Sequence, residues 1–204
     1  MGTTANYSWP TPVATDLVKD GWEAIKDLGD AADTTVKAVS DAQGLVHINT
    51  TSFSAVSAVS IENVFSATYK NYRILLNHSN SAGAVTTHLR LRNAGSDAST
   101  NYYHSGIQTS SNSATINSYR ADNSTFFGLG DGDGASSYAC VIDIFSPFES
   151  AYTRFSSNFV GRLNNYKSFW QLGGHDTSSS YSSFTIYVTS GTLTGSITVM
   201  GYNA

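Results

Sequence analysis

The chain has 204 residues, enough for one ordinary domain with an appendage or for two small units. Hydrophobic residues make up 40%, which excludes disorder by composition, whereas charged residues make up only 13%, and Ser, Thr, Asn and Gly take their place. The net charge of −4 provides no basic surface for phosphate groups, so nucleic acid is not an expected partner.

Membrane insertion and disulfide chemistry are not expected either. No stretch approaches the ~20 apolar residues that a membrane-spanning helix needs, and the polar first residues lack the regions of a signal peptide. Cys140 is the one cysteine and lies in a β-like run without a basic neighbour. We expect it to be a small buried residue rather than a reactive thiol, and we expect no cofactor.

Residues 1–14 are predicted to form an extended arm. Pro10 and Pro12 fix φ, and each one disfavours helix at the residue before it. Tyr7 and Trp9 are large aromatic residues in a segment without a fold of its own. Such side chains bury against a surface, either in this protein or on another one, so the arm is a candidate docking segment.

Residues 16–42 are predicted to form one helix, which Thr15 or Asp16 caps at its start and Gly44 ends. Apolar and small residues in it repeat in steps of four and three, as in a coiled coil of about three heptads. This predicted seam consists of Val18, Trp22, Ile25, Gly29, Ala32, Val36 and Val39.

Two interpretations of the seam remain open. Leu17 and Leu28 lie beside it and widen the apolar face, as expected for a single helix packed on the rest of its own chain, residues 45–204, which we call the β-domain. In the other interpretation the helices of several copies pair. Because three heptads are short for an isolated coiled coil, the β-domain would then help to hold the oligomer.

From residue 45 onward, short alternating runs separated by turn-rich segments predict about eleven strands. The predicted strands are Leu45–Asn49, Val59–Phe65, Tyr72–Asn77, Val85–Arg92, Tyr102–Gln108, Ala114–Tyr119, Tyr138–Phe145, Arg154–Val160, Phe169–Leu172, Phe184–Thr189 and Gly195–Tyr202. We therefore expect a mainly β protein. An arm and single helix, residues 1–44, precede a jelly-roll-like antiparallel β-sandwich, residues 45–204.

Tyrosines in loops and at strand ends are candidates for a ligand-binding surface. Tyr102, Tyr103, Tyr119 and Tyr166 are the ones we expect to face a ligand. Amphipathic rings beside Asn and Ser side chains suit saccharides, which offer C–H faces and hydroxyl groups. The alternative is that these tyrosines lie at sheet rims and subunit interfaces, as in many β-sandwiches.

The segment Gly128–Gly134 carries Asp131 and Asp133 and superficially resembles a calcium loop. It lacks the later carboxylate that an EF-hand requires. We expect a tight turn with solvated aspartates, and a weak cation site is the alternative.

The sequence offers little support for catalysis. The five histidines show no metal-ligand spacing, and neither a nucleophile elbow nor a phosphate-binding glycine motif occurs. Asp143, Glu149 and Asp176 are the carboxylates from which a glycosidase pair would come. We predict no metal site and no enzyme, and a small polysaccharide hydrolase is the alternative.

A set of landmarks follows in order along residues 6–36. They are Asn6, Tyr7, Trp9, Thr11, Pro12, the run from Thr15 to Gly21, Ala24, Ile25, Leu28 and Gly29. With them the segment resembles one near the start of many tailed-bacteriophage minor structural and tail-fibre-like proteins. Trp22 departs from that pattern, which usually has small residues there. The closing run Gly195–Tyr202 is similar to a last strand common in such proteins.

The resemblance implies a component of the virion, synthesised in the host cytoplasm and trimeric in its usual state. The arm residues Tyr7, Trp9, Pro10 and Pro12 would anchor it to other virion proteins, with the β-domain pointing outward. We expect a tail fibre or receptor-binding appendage that recognises a host-surface glycan. A capsid decoration protein or head fibre with a purely structural role is the first alternative, and a free carbohydrate-binding module is another.

Overall fold

The structure is a computed structural model that describes residues 2–13, 15, 17–42, 44–83, 85–132, 137–163 and 165–203. The chain divides into two compact units between Gly44 and Leu45, and Asn203 belongs with the first unit. The first unit contains the helix, and the second contains two antiparallel sheets.

The N-terminal arm folds into a small hairpin, so the prediction of an extended arm is wrong. Strand β1 (Gly2–Thr3) pairs antiparallel with β2 (Pro10–Thr11). The turn between them is closed by backbone hydrogen bonds, in which Thr4 donates to the Trp9 carbonyl and accepts from the Ser8 amide. Pro10 is tolerated in this edge pairing because a strand edge needs no amide donor there.

A short 3₁₀ turn, Val18–Asp20, leads into helix α1, Gly21–Asp41. The predicted cap by Thr15 is wrong, since the residues at the two N-cap positions are Leu17 and Asp20, and neither makes a side-chain capping bond. The other candidate cap, Asp16, lies outside the described residues. The predicted stop at Gly44 is also wrong. Ala42 ends the helix in a right-handed conformation, which requires no glycine.

The described residues of the second unit form thirteen strands. They are β3 (Leu45–Val56), β4 (Ala58–Ile61), β5 (Asn71–Asn80), β6 (Val85–Asn93), β7 (Ser96–Asp97), β8 (Tyr102–Ser110), β9 (Ser113–Ser124), β10 (Phe127–Gly132), β11 (Ser137–Phe145), β12 (Thr153–Leu163), β13 (Asn165–His175), β14 (Ser183–Val188) and β15 (Leu193–Tyr202). Each of the eleven predicted strands overlaps one of these, and β7 and β10 are additional.

The sheet order is that of a jelly roll, as predicted. The larger sheet runs β3-β15-β5-β11-β12-β13-β8-β9, and the smaller runs β10-β6-β14-β4, with β7 attached to β6. Eight strands form the jelly roll in chain order: β3, β4, β5, β6, β10, β11, β14 and β15. In the larger sheet, neighbours run in the order β3, β15, β5, β11, which are the first, eighth, third and sixth strands of the set. In the smaller sheet they run β4, β14, β6, β10, which are the second, seventh, fourth and fifth. The hairpins β8–β9 and β12–β13 extend the larger sheet.

The core lies between the inner faces of the two sheets, where alternate residues of strands such as β5 and β11 are buried. In β5, for example, Tyr72, Ile74 and Leu76 are fully buried. Across the sandwich, the rings of Phe127 and Phe155 stack with their centroids 4.8 Å apart. This alternation fixes which side chains remain on the outer face, because a slip of one residue would expose the whole core set.

The prediction of a tight turn that begins at Gly128 is wrong, because Gly128 lies within strand β10. Its glycines allow close packing instead, since a Cβ on Gly130 would lie only 2.4 Å from Cδ1 of Phe159. The carboxylate of Asp131 accepts a hydrogen bond from Nζ of Lys167 at 3.5 Å. Asp133, the other aspartate of the candidate cation loop, lies outside the described residues.

Candidate functional site

The predicted helix seam is exposed in the single chain. Its large side chains are Val18, Trp22, Ile25, Val36 and Val39, and each is more than half accessible to solvent, from 57% for Val39 to 98% for Val18. Of the two small seam residues, Gly29 is exposed and Ala32 is half-buried. Exposed apolar side chains at a 3.5-residue spacing, on either side of the small residues Gly29 and Ala32, form a surface that partner helices can cover.

The N-terminal hairpin contacts helix α1 and leaves the large side chains of the seam exposed. Ala24 is only 3% exposed, and the indole Nε1 of Trp9 donates a hydrogen bond to Oγ1 of Thr35 at 2.9 Å. The tyrosine ring of Tyr7 stacks on Trp9 at 5.5 Å but stays 62% exposed. Trp9 therefore finds its partner within the chain. Of the four predicted anchor residues, Tyr7 and Pro12 are exposed, whereas Trp9 and Pro10 are half-buried.

Among the candidate tyrosines, Tyr102 does not face a ligand, and that prediction is wrong. Its side chain is fully buried between the sheets. The phenol oxygen accepts a hydrogen bond from the Leu91 amide at 2.7 Å and donates one to the Ala98 carbonyl at 3.3 Å. Desolvation by burial raises the pKa of Tyr102, although the hydrogen bond from the Leu91 amide acts in the opposite direction.

Two other candidate tyrosines are partly covered. Tyr103 is half-buried and lies beside Arg120 and Leu172 at the rim of a shallow depression on the larger sheet. Tyr119 is 38% exposed and donates a hydrogen bond from its hydroxyl to Oε1 of Gln108 at 2.7 Å. Both tyrosines therefore keep part of a ring accessible, but neither stands free.

Tyr166 is the most exposed of the four, at 60%, and it lines a groove of about 500 Å³ on the larger sheet. Strand register explains the groove, because small outward-facing side chains stand beside one another on neighbouring strands. Ser196 of β15 lies opposite Asn77 of β5, which lies opposite Ala139 of β11, and Ala139 lies opposite Val160 of β12. Small residues across four strands leave a trough.

The groove presents hydroxyl and amide groups beside an aromatic ring. Ser79, Ser137 and Thr194 contribute hydroxyls to its lining, in addition to Ser196 and Asn77. The guanidinium carbon of Arg162 lies 6.0 Å from the centre of the Tyr166 ring. Neutral hydrogen-bonding groups next to an exposed ring match the chemistry of a saccharide.

His78 also lines the groove but is buried, with 4% of its surface exposed. Burial lowers the pKa of its imidazole to about 4, so the ring is neutral near pH 7. Its Nε2 is within 3.3 Å of Oγ1 of Thr87, and its Nδ1 has no hydrogen-bond partner. The histidine therefore adds no positive charge beneath the groove.

The three carboxylates of the hydrolase alternative are each engaged with a cation. Asp143 receives two hydrogen bonds from Arg73 at 2.8 Å and one from the Tyr202 hydroxyl. Burial tends to raise the pKa of Asp143, but these bonds outweigh burial and hold the pKa below its ordinary value. Glu149 lies 3.7 Å from Lys70, and Asp176 lies 3.7 Å from Arg154. Asp143 is thus held ionised, which does not suit an acid catalyst.

Metal-ligand clusters of three or more His, Cys, Asp or Glu side chains do not occur among the described residues. Cys140 is buried, as predicted, and burial raises the pKa of its thiol. Within the described part of the chain, no helix combines the length and apolar character needed to cross a membrane.

Comparison with known proteins identifies no relative. No protein-family model and no curated protein matches the sequence, and no solved structure matches the fold.

The groove beside Tyr166 and the exposed seam of helix α1 were both anticipated in part from sequence. The trough of small side chains was not, because its members belong to strands far apart in the chain.

Proposed function

We propose that the protein is a trimeric bacteriophage virion component, a tail fibre or receptor-binding appendage, and not an enzyme. The exposed seam of helix α1 is the observation that carries this proposal. The resemblance of residues 6–36 to tail-fibre-like proteins supports it, as does a low-charge jelly roll suited to display. The partners are then two further copies of the chain, other virion proteins and a host-surface glycan.

The seam gives the physical reason for self-association. Trp22, Ile25, Val36 and Val39 are all more than half exposed, and burying such side chains stabilises an assembly by roughly 1.5–3 kcal/mol each. The hairpin leaves these large seam side chains exposed, so they are free to contact partner helices. Because about three heptads are marginal alone, contacts between β-domains would add to the trimer.

The groove beside Tyr166 is the surface we propose for contact with the host. It is open, lined by hydroxyl and amide groups, and carries one exposed ring. A glycan bound there would stack on the ring and exchange hydrogen bonds with Asn77 and the neighbouring serines. Such a site requires no catalytic group.

Sedimentation equilibrium of the full chain tests the oligomer. We expect the mass of a trimer for the wild type and of a monomer for Ile25→Asp, because the substitution would bury an unpaired charge in the seam. Ala38→Asp is the matched control, since Ala38 is exposed and lies off the seam. A wild-type monomer, or a trimer that survives Ile25→Asp, would refute helix pairing.

Immunogold labelling of intact particles of the phage that encodes the chain tests the location. Label at the tail tip or fibres would support the appendage, and binding of host glycans would be measured next. Label spread over the head would instead assign a capsid decoration protein with a structural role. Particles without label would contradict a virion location altogether.

A further inference from the structure

A second cavity lies between the two sheets, apart from the outer groove. It has a volume of about 360 Å³, within the range of ligand pockets. Strands β6 and β10 form its wall on the smaller sheet, and β8, β9 and β13 form its wall on the larger one. His88, His104, Tyr119, Phe126 and Gln171 are its principal side chains.

Polar atoms converge in this cavity on the place where Gly128 lacks a side chain. A Cβ on Gly128 would lie 3.2 Å from Nε2 of His104, and 3.5 Å and 3.8 Å from Oε1 and Nε2 of Gln171. Gln171 is only 4% exposed, and its Oε1 has no hydrogen-bond partner among the described residues. Within the same part of the chain, Nδ1 of His88 and Nδ1 of His104 are also buried without a partner. Buried polar atoms normally have one.

The wall is uncharged near neutral pH apart from ion-paired groups. Burial, with smaller effects of Arg90 and His104, lowers the pKa of His88 to about 4, and burial also lowers the pKa of His104. Asp131 in the wall interacts with Lys167 at 3.5 Å, and Arg120 at the rim interacts with Asp122 at 3.4 Å.

Aromatic rings complete the wall. The imidazole of His88 stacks on Phe126 with centroids 3.6 Å apart and planes 9° apart, so its orientation is fixed. The partly exposed ring of Tyr119 packs against Phe169 with a centroid distance of 5.6 Å. The cavity therefore combines apolar ring surface with neutral groups that both donate and accept hydrogen bonds.

We propose that this cavity between the sheets binds a single saccharide residue, a neutral ring bearing several hydroxyl groups. Hydroxyls supply both donors and acceptors, as two neutral imidazoles and one amide require. The C–H face of the sugar packs on the aromatic side chains. An anion is less well suited, because Arg120 and Lys167, the cations at the described part of the wall, are ion-paired. This site goes beyond the proposed function, and its binding does not depend on a virion location.

Saturation-transfer NMR on the full chain tests the site with methyl glycosides of glucose, galactose, mannose, rhamnose and N-acetylglucosamine, and with adenosine as a flat heterocycle. We expect transfer to at least one glycoside. Gln171→Met keeps the shape of the side chain but removes its hydrogen bonds, so affinity should fall about tenfold. Gly128→Ala, which fills the point of convergence, should abolish binding. Tyr166→Ala removes the ring of the outer groove, so the binding that remains in this variant reports the cavity between the sheets alone.

Circular dichroism checks that each variant folds, and His104→Phe replaces any variant that does not. The proposal is overturned if no glycoside shows transfer, or if transfer occurs to adenosine alone. It is also overturned if binding persists in both Gln171→Met and Gly128→Ala. If Gln171→Met does not fold, persistence of binding in both Gly128→Ala and His104→Phe overturns it. Loss of binding in Tyr166→Ala would assign the saccharide to the outer groove instead and would equally overturn it.

Discussion

Two buried histidines should make the β-domain lose stability as the pH falls from 7 to 5. His78 and His88 are each 4% exposed, and burial lowers the pKa of both to about 4. In the unfolded chain the pKa of histidine is about 6.5, so the unfolded state takes up protons first on acidification. The stability that these neutral rings contribute is present above pH 6.5 and is lost as the pH falls from there toward 4.

The size of the loss follows from proton linkage. With a folded pKa of about 4 and an unfolded pKa of about 6.5, each histidine costs about 2 kcal/mol at pH 5 relative to pH 7. The two together give about 4 kcal/mol, a large part of an ordinary domain's stability. His104 and His175 add to the same loss, since burial lowers the pKa of both. Asp143 titrates below this range.

Urea unfolding followed by tryptophan fluorescence at pH 7 and pH 5 measures the effect. The double variant His78→Asn with His88→Asn should be less stable at pH 7, but its further loss between the two pH values should be about 4 kcal/mol smaller than that of the wild type. The difference within each protein is what counts, so the general cost of the substitutions cancels. A wild type equally stable at both pH values, or an equal loss in the double variant, would show that this reasoning is wrong.

Two substitutions with one control probe the backbone, and one deletion probes the arm. Ala94 has a φ of 48° in the turn between β6 and β7, so Ala94→Asn should raise the free energy of unfolding by about 1 kcal/mol in a urea titration. Gly130→Ala would press against the Phe159 ring and should cost roughly 1–3 kcal/mol, whereas Gly83→Ala, in open space, should cost little in the same titration. Removing residues 1–14 should abolish incorporation into particles while circular dichroism shows a folded β-domain; normal incorporation would contradict the anchor.

The fold was predictable because its main signals are local. Alternation in runs such as Tyr72–Asn77 and Phe184–Thr189 identifies strands without knowledge of their partners. Strand β10 escaped prediction because its Gly and Asp residues have the composition of a turn, and only the ring of Phe159 on another strand explains them. The arm hairpin was missed although its pairing is local, because each of its strands is only two residues long and too short to show an alternating pattern.

In the candidate sites, too, local signals could be predicted from the sequence and contacts between distant segments could not. The seam could be recognised from its 3.5-residue repeat, but the sequence left open whether the seam packs on its own chain or on other copies. Of the tyrosines, Tyr102 and Tyr166 both stand near strand ends, and sequence alone could not tell the core residue from the exposed one. Which face a strand-end residue occupies depends on the register, and the register is set by partners elsewhere in the chain.

The cavity between the sheets could not be predicted from the sequence. His88, His104, Gly128 and Gln171 lie on four different strands, and each is unremarkable in its own segment. They come together only when the jelly roll closes. Nε2 of His104 and the amide of Gln171 then lie beside Gly128, and Oε1 of Gln171 and Nδ1 of both histidines are buried without partners among the described residues. Burying unpaired polar atoms lowers the free energy of unfolding, and a ligand that bonds to them would restore part of it. A glycoside that binds should therefore raise the unfolding temperature of the wild type but not that of Gly128→Ala.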